Sequence, residues 1–113
     1  MFHDLPNSLE AHLLIQVRDV LRKHVSDCDV WVFGSRVSNK AKRFSDLDLA
    51  VVSPSVLPLR RLVLLANAFE ESDLPIKVDL VDWHSAGAAF RDRIAERHEV
   101  IFQAENPSHP ESQ

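Results

Sequence analysis

Val30-Trp31-Val32-Phe33-Gly34-Ser35, then ten residues, then Asp46-Leu47-Asp48-Leu49-Ala50-Val51-Val52, is the stretch on which the fold turns. Its first four residues are wholly apolar and β-favouring and stop at a glycine, so they read as a short buried strand. The second run is a strand over 46–52, stopped by Ser53-Pro54-Ser55. Side chains alternate along a strand, so Leu47, Leu49 and Val51 share one face, and Asp46 and Asp48 share the other. A third strand, 76–82, follows Pro75 and repeats the pattern, with Ile76, Val78 and Leu80 on one face and Lys77, Asp79 and Val81 on the other. If the apolar faces pack on one core, Asp46, Asp48 and Asp79 are left together on the opposite side. Asp82 falls outside that set and reads as a strand-end or helix-start residue near Ser85.

Helices fill the intervals. Leu13, Val17, Val20, Leu21 and His24 recur at helical spacing over 8–25, with Ser8 as the expected cap. A second helix is expected over 57–72, with Leu62, Val63, Ala66 and Phe69 on one face, and a third over 85–98, with Phe90 and Ile94 four apart. Val100-Ile101-Phe102 reads as a packed extension. The fold class is therefore α/β (α+β), a small mixed three-stranded sheet with flanking helices. One domain spans 1–103, and 104–113, polar and holding Pro107 and Pro110, is expected as a disordered tail.

The chain has 113 residues, with 13 Lys+Arg against 17 Asp+Glu and a formal net charge of −4. That length suits one core. The acidic balance argues against direct nucleic-acid binding, which needs excess cation to displace phosphate counterions. No apolar run approaches the roughly 20 residues that span a bilayer. The single cysteine, Cys28, reads as a small residue at a strand start, and a soluble, cytoplasmic setting is expected. With only two glycines, Gly34 and Gly87, there is no P-loop and no dinucleotide fingerprint.

Three carboxylates on one sheet face repel one another unless a cation sits between them. Carboxylate oxygens suit a hard ion such as Mg²⁺ or Mn²⁺. Gly34-Ser35 closes the preceding strand at an expected helix N-terminus, where backbone N–H groups attract anions. Arg36, Lys40, Lys42 and Arg43 come next, with no acid among them. An anion site beside a metal site is what the metal complex of a nucleoside triphosphate needs. Trp31 and Trp83 read as packing residues rather than base-stacking ones, His84 as an exposed loop residue, and Arg91, Arg93 and Arg97 as the solvated face of the last helix.

Gly34-Ser35, ten residues, then Asp46-x-Asp48 resembles the signature of the minimal nucleotidyltransferases, in the DNA polymerase β nucleotidyltransferase superfamily. Trp31–Arg36, Ser45–Val51 and Val78–Trp83 carry the likeness, which covers about residues 8–102. Where members often carry a glycine, Asn39 stands here, and asparagine is the next best residue for a left-handed turn. The resemblance implies that Asp46 and Asp48 ligate two Mg²⁺ ions, and that Asp79 is the third carboxylate and helps activate the attacking hydroxyl. It implies that Gly34 and Ser35 hold the β- and γ-phosphates of ATP, with Arg36, Lys42 and Arg43 as further phosphate contacts and Lys40 a weaker one.

The resemblance also implies a helical HEPN partner encoded nearby. The pair would act as a toxin–antitoxin system, in which this chain adds AMP to a tyrosine of the HEPN ribonuclease. A chain of this length has no acceptor domain, so the site is expected to be completed in a homo- or hetero-oligomer. The chain has no tyrosine and cannot be its own tyrosine acceptor. Two other readings stand beside this one. One is a non-catalytic nucleotide-binding module that neutralises the partner by complex formation. The other is an adenylyltransferase for a small-molecule acceptor.

Overall fold

A computed structural model describes residues 9–37 and 46–105. Helix α1 (Ala11–Val25) leads into β1 (Asp29–Phe33) and a 3₁₀ turn, Gly34–Val37. Strand β2 (Leu47–Val52), α2 (Leu59–Glu71) and β3 (Val78–Asp82) come next. A second 3₁₀ turn, Trp83–Ser85, then α3 (Ala88–Glu96) and β4 (Glu99–Phe102) complete the described chain. The Ser8 cap expected for α1 lies outside the described residues; Glu10 precedes the helix and makes no side-chain capping bond.

The sheet has four strands, in the order β3-β2-β1-β4, rather than three. Strand β1 runs antiparallel to both β2 and β4, and β2 runs parallel to β3. A parallel pair needs a crossover, and α2 supplies it. The apolar end read as a packed extension is β4. It pairs with β1 through Val32–Glu99 and Val30–Phe102, with a register shift between them. Four residues with a bulge leave no clean alternation to read in sequence.

One layer of core holds the sheet to its helices. Leu14, Val17, Leu21 and Val25 of α1 pack with Val30, Val32, Leu47, Leu49 and Val51, all essentially buried. In α2 the buried row is Leu65 and Phe69, with Leu62 packed against it. Val63, expected on this face, is 47% exposed, because the helix turns its 62/65/69 row inward rather than 63/66. His24 likewise faces solvent, and its carbonyl accepts from Arg61 Nη2 at 3.0 Å. The same guanidinium grips Asp27 with two bonds, at 2.7 and 3.1 Å, tying the end of α1 to the start of α2. That hydrogen bonding holds the Asp27 carboxyl below its ordinary value.

Cys28 is fully buried at the start of β1, and burial pushes its thiol up to about 12, so it is an inert packing residue. Ala104 and Glu105, the first residues of the expected tail, are held by hydrogen bonds to Asp29 Oδ1 and the Ser26 carbonyl, both 2.8 Å. The rest of that expected tail, 106–113, lies outside the described residues. No helix among the described residues is long and apolar enough to cross a membrane.

Candidate functional site

The face of the sheet turned away from α1 and α2 carries the polar residues. In register across the three strands, Phe33 lies opposite Asp48, and Asp48 lies beside Asp79. Neighbouring strands are about 4.8 Å apart, so the two carboxylates are forced together by backbone pairing and not by side-chain choice. The start of β2 is fixed by Leu47 N–H donating to the Lys77 carbonyl at 2.8 Å. Lys77 Nζ stands 3.7 Å from Asp79 Oδ1 at the exposed edge.

Asp48 is half-buried, and its carboxyl is pushed up, first by burial, then by the charges of Asp79 and Asp46. Asp46 sits just ahead of β2 and is exposed. The structure thus brings Asp48 and Asp79 together and leaves Asp46 at the rim. Among the described residues no three histidine, cysteine, aspartate or glutamate side chains are close enough to ligate one ion as they stand. The donor set is nonetheless all oxygen, two carboxylates in register with a third acid near enough to raise Asp48. That set fits a hard divalent cation, with water completing its shell.

Gly34 closes the other side. Its φ is +80°, a region that L-residues avoid. A Cβ placed on it would overlap the Asp48 carboxylate oxygen and lie 3.2 Å from Asp48 Cγ. Only glycine can turn the chain this close to the carboxylate. Within the described residues the chain forms a 3₁₀ turn, Gly34–Val37, at the place of the expected helix N-terminus. Ser35 is half-buried, and Arg36 is buried at 9% exposure. Lys40, Lys42 and Arg43 lie outside the described residues.

Asp82 is structural. It is 4% exposed and accepts from Leu57 N–H, His84 N–H and Ser85 Oγ, capping the Trp83–Ser85 turn and anchoring the loop before α2. Asp82→Ala should cost about 2–3 kcal/mol, because the Leu57 donor is then buried without an acceptor. Thermal melting of the variant checks this. His84 is not an exposed loop residue: its Nε2 donates to the Ser53 carbonyl at 2.7 Å.

Trp31 and Trp83 pack edge to face at 5.0 Å, and His98 stacks on Trp31 at 4.2 Å. Helix α3 lies on this same face, with Phe90 edge-on to Phe33 at 5.7 Å and Ile94 buried. Arg93 and Arg97 are exposed, as the expected solvated face requires, and they also line a cavity with Phe33, Gly34 and Val37. Their spacing of four, beside Phe90 and Ile94 at the same spacing, is the signal the sequence offers, but only the packing of α3 shows where they point.

A family model described as "Polymerase beta, Nucleotidyltransferase" matches residues 16–107. The chain is 43% identical over 97 residues to the probable protein adenylyltransferase MntA of Haemophilus influenzae, covering 86% of this chain and 85% of that one. Among solved structures, a toxin–antitoxin complex with AMP-PNP matches at a TM-score of 0.67 and 24% identity, over 86% of this chain and 77% of that one. A complex of a tri-AMPylated Shewanella oneidensis HEPN toxin with an MNT antitoxin matches at 0.62 and 22%, over 82% and 71%.

Proposed function

The chain belongs to the polymerase beta nucleotidyltransferase family, and on that premise we propose that it moves AMP from ATP onto a tyrosine hydroxyl of a HEPN-domain ribonuclease. It would thereby act as the antitoxin of a toxin–antitoxin pair in the cytoplasm. The observation that carries the reading is the row Phe33, Asp48 and Asp79, closed by a Gly34 turn that only glycine can make. The Haemophilus relative supports protein adenylylation, and the same fold occurs in complexes with AMP-PNP and with an AMP-bearing HEPN toxin.

Asp46, Asp48 and Asp79 are the residues that would hold Mg²⁺. Bound there, the metal would offset the charge developing on the attacking and leaving oxygens. The chain's own groups do the rest. Backbone N–H groups of Gly34 and Ser35, with Arg36, orient the β- and γ-phosphates, and Lys42 and Arg43 are assigned to the same anion. Asp79, at the open edge strand, faces the side from which a partner's hydroxyl enters and takes up its proton. A bond forms from the hydroxyl oxygen to the α-phosphorus, the bond to the β-phosphate oxygen breaks, and pyrophosphate leaves.

The test is label transfer from α-phosphate-labelled ATP with Mg²⁺, with and without the HEPN protein encoded next to this chain. Label is expected on the HEPN protein. Label on small molecules instead, or none on any fraction while the two proteins co-purify, overturns protein adenylylation.

A further inference from the structure

A cavity of about 270 Å³ opens beside the Gly34 turn, between that turn and α3. Phe33, Val37, Phe90 and Ile94 give it an apolar wall, Gly34 borders it, and Arg93 of α3 and Arg97 just after that helix complete its lining. The edge-on contact of Phe90 with Phe33 and the burial of Ile94 fasten α3 to the sheet. Arg93 lies in the last turn of α3, and Arg97 follows the helix directly with an extended backbone, so the two reach the cavity from the end of that helix. Among the described residues neither forms an ion pair.

Charge is therefore segregated across a few residues. Asp48 approaches Gly34 and has Asp79 beside it, while Arg93 and Arg97 line the cavity that Gly34 borders and neither acid lines; Phe33, in register with Asp48, belongs to both. A nucleoside triphosphate bound through a metal has the matching polarity: its α-phosphate goes to the acids, and its terminal phosphates need cations further along. We propose that this cavity receives the β- and γ-phosphates, with Arg93 of α3 and Arg97 just past its end as their ligands. The inference rests on the function proposed above. It adds two phosphate-binding residues and fixes the direction in which the nucleotide lies.

Guanidinium groups suit the role because each can grip two phosphate oxygens at once. An apolar wall behind them excludes water and strengthens each contact. The charge they meet grows as the bond to the α-phosphorus breaks, so they stabilise the leaving pyrophosphate as well as the bound substrate. The nucleoside end is then directed away from α3.

The experiment is calorimetric titration of the full chain, with Mg²⁺, by α,β-methylene-ATP and by inorganic tripolyphosphate. Wild type is compared with Arg93→Gln/Arg97→Gln and with Arg93→Lys/Arg97→Lys. Both arginines are exposed, and the melting curve of each variant verifies its fold. The glutamine pair is expected to lose roughly ten- to hundredfold in affinity for both probes. The lysine pair should recover part of it, since charge is kept and the fork is lost. Wild-type affinity of the glutamine pair for both probes overturns the inference and leaves the function standing. A loss for α,β-methylene-ATP alone also overturns it, because the arginines would then read the nucleoside. A wild type that binds neither probe overturns the proposed function and this inference together.

Discussion

Asp48→Asn is expected to lower AMP transfer by at least about a hundredfold to a thousandfold, the range for loss of a group that offsets transition-state charge. It is also expected to raise the melting temperature of the metal-free protein. The two effects share one cause. Asp48 is half-buried between Phe33 and Asp79, and its carboxyl is pushed up by burial and then by Asp79 and Asp46. Without a cation, ionised Asp48 works against folding. Asparagine keeps the volume and removes the charge. A gain of about 1 kcal/mol would move the midpoint of a domain this size by ~4–8 °C.

The pH dependence has a definite sign. A carboxyl with a raised pKa holds its proton more tightly in the native state than in the unfolded one. Metal-free wild type therefore loses stability as pH rises from below the ordinary carboxylate value through the raised one. The variant lacks that slope. Mg²⁺ with nucleotide stabilises wild type by mass action and leaves the variant unmoved. Melting curves across pH with and without Mg²⁺, beside the label-transfer assay, decide the matter. A variant that melts lower than wild type, or keeps its transfer rate, removes Asp48 from the role assigned to it.

The sheet face that carries Asp48 is legible in the sequence because a strand's period of two needs no knowledge of its neighbours. Leu47, Leu49 and Val51 are fully buried, as alternation requires, and Asp48 and Asp79 point the other way. Register is not legible. Nothing local dictates that Asp48 stands beside Asp79 rather than one step along; the crossover through α2 and the Leu47–Lys77 hydrogen bond fix it. Strand β4 is hidden for a related reason. It is four residues long, is preceded by charged residues, and gains its identity from β1, nearly seventy positions earlier in the chain. Tertiary contact also decides which side of α2 is buried. Leu62, Val63, Leu65 and Ala66 offer two apolar faces, and only the sheet beneath selects one. Arg93 and Arg97 are exposed, as their sequence reading has it, but the cavity that they border is not legible on the same ground: spacing tells that two residues share a face, not what the face meets.

Gly34→Ala is the second change with a large expected effect, and it separates two costs. The first is conformational. A left-handed backbone at φ +80° costs an alanine about 1–2 kcal/mol. The second is steric, since the new methyl overlaps the Asp48 carboxylate, and overpacking of this kind costs about 1–3 kcal/mol. Together they remove a sizeable share of a domain's usual ~5–15 kcal/mol without unfolding it. Transfer is expected to fall at least about a hundredfold, because a displacement of about 1 Å in a positioning group is enough for that. Denaturant titration in two backgrounds isolates the terms. In Asp48→Ala the overlapping oxygen is gone and only the Cβ, 3.4 Å away, remains, so Gly34→Ala should there cost just the backbone term, about 1–2 kcal/mol. Gly87, with nothing near its Cβ position and an ordinary negative φ, is the steric control, and Gly87→Ala should cost about 1 kcal/mol or less, the loss of a glycine cap on α3. Equal losses from Gly34→Ala in both backgrounds would mean that the close approach of this turn to Asp48 is not what requires glycine. The strained backbone alone would then account for it, and the turn would no longer be evidence for a phosphate seat beside the carboxylates.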